Sequence, residues 1–198
     1  FNFMLPTSLV SYASPVVLGA KSGKKLSEEE IAGIKASGYN GLNTISVQSL
    51  AEVREKMTAI LSLLPAYSGN YVDPTDDLNR TSESLNEKAC PDCLVGAVCD
   101  EGSFVEMNAD FCSEVRTGIC RIGGVSSAVL LFGKGTDAVS LTFENVLKIK
   151  HFVNFAYEYE LPLVTFVNTL GLKTDLQTSS TVVLLSLIHI SEPTRRVV

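Results

Sequence analysis

Two eight-residue runs, Val115 to Ile122 and Val125 to Phe132, are separated only by Gly123-Gly124. No other feature of the chain restricts its fold as tightly. A diglycine supplies the two positive φ angles that a two-residue hairpin turn demands, so the runs are expected to pair as antiparallel strands. Downstream, Val146, Ile149, Val153 and Ala156 recur at helical spacing with Phe152 beside them, which predicts a helix over Phe143 to Tyr159. Leu161-Pro162 breaks it, and Leu163 to Val167 reads as a buried strand of near-continuous apolar residues. Strand, helix, strand implies a right-handed crossover onto a parallel neighbour, so the second half is α/β. The chain leaves that last strand at Asn168-Thr169-Leu170-Gly171. Ligands gather beyond the carboxyl ends of strands in open α/β sheets, which makes this exit a candidate site edge. The competing reading is a simple strand-to-loop turn.

The first half is less periodic. Phe1 to Leu18 is expected to contain a short strand. Ser27-Glu28-Glu29-Glu30 is a capping box that should open a short helix ending before Gly38. Gly38 to Ile45 reads as loop with a short strand. Ser46 is the expected N-cap of an amphipathic helix whose inward face is Leu50, Val53, Met57, Ile60, Leu61 and Leu64, and Pro65 stops it. Residues 66–88 carry turn chemistry and little apolar pattern, as a linker would. Leu94 to Cys99 fits helix or strand, and Asp100-Glu101-Gly102 turns the chain into Ser103 to Met107.

Composition narrows the function classes. Sixteen basic against 22 acidic residues give a net charge of −6, without the basic stripe that nucleic acid requires. The apolar tail segment Thr178 to Ile190 is shorter than the roughly 20 residues of a spanning helix. Five cysteines, with no secretory leader legible at Phe1-Asn2-Phe3-Met4, suggest free thiols in the cytoplasm. Cys90-Pro-Asp-Cys93 has no second tight pair, so ordinary thiols are expected ahead of a metal site. Among the remaining candidates, His151 reads as an exposed helix residue, and Lys148 and Lys150 as a solvated helix face open to phosphate groups. Gly133-Lys134-Gly135 lacks the spacing of a phosphate-binding loop.

Five stretches then occur in a telling order. They are "SGKKLSEEEIAG" (Ser22 to Gly33), "ILSLLP" (Ile60 to Pro65), "DEGSFVEM" (Asp100 to Met107), "RTGICRIGG" (Arg116 to Gly124) and "LTFENVLKIKHFVNFAYEYELPLVTFVNTLGL" (Leu141 to Leu172). Together they resemble the carboxyltransferase subunits of biotin-dependent acyl-CoA carboxylases and decarboxylases. The resemblance implies parts of two crotonase-like domains, each a spiral of ββα units: residues 1–65 closing the first, 66–88 linking, and 89–183 opening the second. It also implies transfer of a carboxyl group between carboxybiotin and the α-carbon of an acyl-CoA. The cofactors would be biotin, carried on a partner, and a coenzyme A thioester. The partners would be a biotin carboxyl carrier protein and biotin carboxylase or decarboxylase subunits, with further copies of the intact subunit in a homo-oligomer.

The α-carbon must pass through an enolate, which calls for preorganised backbone N–H donors at glycine-rich helix starts. In the family there is one such turn per domain, and neither is visible in this chain. The expectation is therefore a fragment, inactive alone, with no catalytic residue of its own and no metal. Near the biotin pocket the family often has an Asp-Val-Pro-Gly-Phe-like sequence, and this chain has Asn168-Thr-Leu-Gly171-Leu172. Asn168 and Gly171 are thus the candidate cofactor-binding residues, and the departures at 168 and 170 leave the acyl group open. Residues Leu185 to Arg195 resemble a translated sequencing adapter, so 184–198 is expected to be an artefactual tail. Two alternatives stand beside this reading: a non-catalytic assembly subunit of such a complex, and another crotonase-fold CoA enzyme such as a hydratase, whose paired glutamates are not seen.

Overall fold

The computed structural model describes residues 1–10, 16, 17, 20, 23, 27–39, 44–64, 77, 79, 91–133 and 137–173. The expected tail (184–198) and, apart from Asp77 and Asn79, the expected linker (66–88) lie outside them. The hairpin is the centre of what they form. Strands β4 (Val115–Ile122) and β5 (Val125–Phe132) pair antiparallel with Ile122 opposite Val125, at the boundaries expected. Strand β3 (Val105–Met107) adds antiparallel to β4, and β7 (Leu163–Phe166) adds parallel to β5, in the order β3-β4-β5-β7.

The turn has a lock that its sequence does not announce. The buried carboxylate of Asp100 accepts hydrogen bonds from Gly123 N and Gly124 N, both at 2.8 Å, and Asp100 N donates to Arg121 O at 2.8 Å. Two charge-assisted bonds to consecutive amides hold the diglycine in its left-handed conformation.

Period-two alternation then divides the core. Ile119, Ala128, Leu130 and Phe132 face one side, packed with Ile149, Phe152 and Ala156 of helix α5 (Phe143–Glu158). Cys120, Val129 and Leu131 face the other, under Leu94 and Val95 of α4 (Pro91–Val98), which resolves the open choice there as helix. Strand β7 departs from expectation. It is an edge strand, with Leu163 and Thr165 exposed and only Val164 and Phe166 packed inward. Nothing among the described residues pairs with its outer side.

The first half supplies β1 (Asn2–Met4) and β2 (Thr44–Ser46), a parallel pair. Helix α1 (Glu28–Ala32) opens with the predicted capping box: Ser27 Oγ accepts from Glu30 N, and the Glu30 carboxylate accepts from Ser27 N. The chain breaks at Gly33, however, and α2 (Ile34–Tyr39) runs through Gly38 instead of ending before it. Packing gives the reason: a Cβ at 38 would lie 2.5 Å from Phe111 Cβ, so this glycine admits a close approach rather than ending a helix.

Helix α3 (Leu50–Leu63) is capped by Ser49, whose hydroxyl accepts from Glu52 N; Ser46 belongs to β2. Only part of its predicted face turns inward. Ile60 and the unforeseen Leu63 are buried, whereas Leu50, Met57 and Leu61 are exposed. Ile45, Val47 and Ile60 share one core cluster with Ile119 and Phe152, so the two halves of the described chain are packed on each other.

Candidate functional site

The parallel pairing of β5 and β7 sets Leu131 opposite Phe166, and this register brings the carboxyl ends of the two strands side by side. The chain leaves one strand at Gly133 and the other at Asn168. Gly133 has φ +105°, and a Cβ built on it would lie 3.1 Å from Asp137 O and 3.5 Å from Asn168 Nδ2. The positive φ and the tight approach to Asp137 O favour glycine here. Sequence reasoning discarded Gly133 because it fits no phosphate loop; a glycine at the end of a buried parallel strand was the available signal.

Beyond Asn168 the structure corrects an expectation. Residues 169–172 form a strand, β8 (Thr169–Leu172), which pairs parallel with β6 (Val139–Leu141), with a register shift between Val139 and Ser140. Val139 N donates to Asn168 O at 3.2 Å, and Thr169 Oγ1 donates to Val139 O at 2.7 Å. The same hydroxyl accepts from Gly171 N at 3.0 Å. Gly171 is exposed, at φ +95°, and a Cβ placed on it would meet nothing within 4 Å. Asn168 is half-buried, between the exposed apolar side chains of Val167 (67%) and Leu170 (74%). The two predicted residues therefore lie on one rim, with a polar amide, an unobstructed glycine and two apolar side chains open to an incoming molecule.

A separate cavity of about 410 Å³ is lined by Ile45, Ser46, Lys56, Phe104 and Glu106, and none of the rim residues borders it. Two of its charged groups, Lys56 and Glu106, are already paired, and Glu55 is exposed. Lys56 pairs with Glu52 at 2.9 Å and donates to Ser46 O, while Arg116 holds Glu106 through two contacts of 3.0 and 2.6 Å. Size alone does not make it the site.

The largest surprise is Lys148. Expected on a solvated face, it is 1% exposed, and its Nζ donates to the carbonyls of Asn108 (2.8 Å), Phe111 (2.6 Å) and Cys112 (3.3 Å). Burial pulls its pKa down to about 8, against the raising influence of the nearby Cys112, Glu106 and Glu114. It falls on the inward stripe of α5 with Asn145, Ile149 and Phe152, and that spacing was legible. Lys150 is exposed as expected. His151 is half-buried rather than exposed, and burial, followed by the Lys150 charge, lowers its pKa. Cys112 is half-buried and its thiol is pushed up to about 11, chiefly by burial. Cys93 is disulfide-bonded, against the expectation of free thiols, whereas Cys99, Cys112 and Cys120 are not in disulfides. Among the described residues no three His, Cys, Asp or Glu side chains converge on a metal position, and no helix is long and apolar enough to cross a membrane.

Comparison with known proteins adds to this geometry. The carboxyl transferase domain family matches residues 1–179. The propionyl-CoA carboxylase carboxyltransferase subunit of Haloferax mediterranei is 25% identical over 185 residues, covering 86% of this chain and 36% of that protein. The methylmalonyl-CoA decarboxylase subunit alpha of Veillonella parvula is 23% identical over 178 residues, covering 83% and 35%. A crystal structure of transcarboxylase 12S, a hexamer with methylmalonyl-CoA and methylmalonic acid bound, superposes with a TM-score of 0.77 at 17% identity, over 95% of this chain and 40% of that one. The shared fold is the crotonase-like α/β architecture expected from the sequence. The chain spans about a third of the length of its curated relatives (36% of the first).

Proposed function

Since the chain belongs to the carboxyl transferase family, we propose that it is the middle segment of a biotin-dependent acyl-CoA carboxyltransferase, contributing the biotin-side rim of the active site. The observation that carries this reading is the joined exit of two parallel strands at Gly133 and Asn168, within a family match that extends over residues 1–179. The proposed division is residues 1–65 in a first crotonase-like domain and 89–183 in a second, with 66–88 between them.

The residues present fit a ureido ring. The Asn168 carboxamide has both a donor and an acceptor, as a ureido N–H and C=O require, and Gly171 leaves its backbone open to close approach. When bound on its carrier, biotin supplies a carboxyl group activated for transfer to a carbanion. Asn168 would orient that ring, and Val167 and Leu170 would shed water as the ring docks, which strengthens the polar contacts behind them. The N–H donors for the enolate oxygen are proposed to come from parts of the subunit beyond these residues. The substrate is proposed to be a short acyl-CoA and the working form an oligomer; support comes from the relatives and from the hexameric transcarboxylase. A cytoplasmic setting belongs to the same proposal.

The test is Asn168→Ala in the intact subunit. Loss of one ring contact should raise KM for free biotin about tenfold, the equivalent of about 1.4 kcal/mol, and leave KM for the acyl-CoA unchanged. An unchanged biotin KM would remove Asn168 from the site.

A further inference from the structure

The Cys99 and Cys120 side chains are partners in the second core cluster, on the α4 side of the sheet. Cys99 directly follows α4, Cys120 lies within β4, and both are buried beside Val129 and Leu131. The backbone sets them together: Asp100 N donates to Arg121 O at 2.8 Å, so the residues immediately before each of these, Cys99 and Cys120, are neighbours across the same joint. Both side chains are buried in the same cluster, and Cys99 is the leading cause of the raised Cys120 pKa. Neither is in a disulfide. Two thiols packed in one cluster can meet when the joint opens, and the chain between them already closes on itself at Asp100.

We propose that Cys99 and Cys120 form an oxidisable dithiol, a modification site at which a small-molecule disulfide of the glutathione class converts the pair to a disulfide that staples the end of α4 to β4. The step balances as two successive exchanges. Cys99, the residue that follows α4, is deprotonated during local opening, and its thiolate attacks one sulfur of the oxidant. One small thiol leaves, carrying that proton. The Cys120 thiolate then attacks Sγ of Cys99 in the mixed disulfide and expels the second small thiol, which takes the Cys120 proton. Two cysteine thiols are oxidised and one small disulfide is reduced to two thiols.

Burial sets the rate. The Cys120 thiol is held strongly protonated, by the neighbouring Cys99 and by desolvation, so attack requires the joint to open. Cys112 makes an internal comparison, because it is half-buried and has no cysteine partner among the described residues. It should stop at the mixed disulfide. The link matters because the joint it closes includes Asp100, whose carboxylate holds the hairpin turn. Oxidation would fix that turn and α4 to each other.

The experiment uses the full chain incubated with oxidised glutathione, quenched by alkylation and cleaved at aspartate, lysine and arginine. Mass spectrometry should find Cys99 of residues 92–99 joined to residues 117–121, in a species that also carries the peptide held by the Cys93 disulfide, with Cys112 glutathionylated singly. The oxidised chain should also melt at a higher temperature than the untreated one. In Cys99→Ser the link should vanish, and Cys120 should be recovered alkylated. Three results would overturn the proposal: no link while Cys112 is modified, a link that persists in Cys99→Ser and so comes from Cys93, or a mixed disulfide on Cys99 or Cys120 that never proceeds.

Discussion

Replacing Lys148 by methionine tests the packing of the two halves through a charge. The ammonium donates to three carbonyls in the 108–112 loop, and Phe111 of that loop packs against Gly38 of the first half. Its folded pKa, about 8, lies below the ordinary 10.5. The unfolded chain therefore binds more protons between these values, so stability from this group rises with pH through that window and is lost as pH falls through about 8. Integrated from pH 7 to about pH 9, the shift amounts to about 1 kcal/mol of added stability. The raised pKa of Cys112, about 11 against 9, works in the opposite sense, its contribution being lost as pH rises above about 9, so the comparison stops there. Urea unfolding of the full chain should show wild type gaining about 1 kcal/mol over that range relative to Lys148→Met. At pH 7 the variant should also be less stable by about 1–3 kcal/mol, because Phe111 O loses the Lys148 donor while Asn108 O and Cys112 O keep those from Phe111 N and Val115 N. An equal pH response in both proteins would refute the charged, buried lysine.

Three further outcomes are expected. Asp100→Ala removes the acceptor for Gly123 N and Gly124 N and should cost about 2 kcal/mol, with hydrogen exchange accelerating at those two amides; unchanged exchange would mean that the turn holds itself. Gly38→Ala should destabilise by about 1–3 kcal/mol through overlap with Phe111, whose Cβ is the nearest atom, and should cost less in a Phe111→Gly background than in wild type, as read by thermal melting. Gly133→Ala forces a side chain into a positive-φ position beside Asp137 O and Asn168 Nδ2. In the intact subunit it should raise the biotin KM in the same direction as Asn168→Ala, and an acyl-CoA effect alone would contradict the placement of the rim.

The parts of the fold that were legible are those decided locally. The diglycine turn, the Ser27 capping box and the stripe of Val146, Ile149, Phe152 and Ala156 each carry their instruction within a few residues, and each stands in the structure. What escaped depends on distant partners. Val139–Leu141 is too short to announce a strand until Thr169–Leu172 lies beside it. Asp100 looks like an ordinary turn residue until Gly123 and Gly124 approach it from another part of the chain. Lys148 was read by residue type, although its position on the α5 stripe pointed inward. Ser46 and Ser49 compete for the same cap, and pairing of Ser46 into β2 decides between them. Asn168 and Gly171 were proposed through the family resemblance, whereas Gly133 needed the β5–β7 register to bring it alongside Asn168.

The central claim is that these residues belong to a machine that moves a carboxyl group by way of biotin. Its most direct test is carboxyl transfer by the intact subunit that contains them, from carboxyl-labelled methylmalonyl-CoA or malonyl-CoA to free biotin. The predicted result is labelled carboxybiotin that depends on both acyl-CoA and biotin and is reduced by Asn168→Ala. A folded, oligomeric subunit that forms none from either thioester would contradict it.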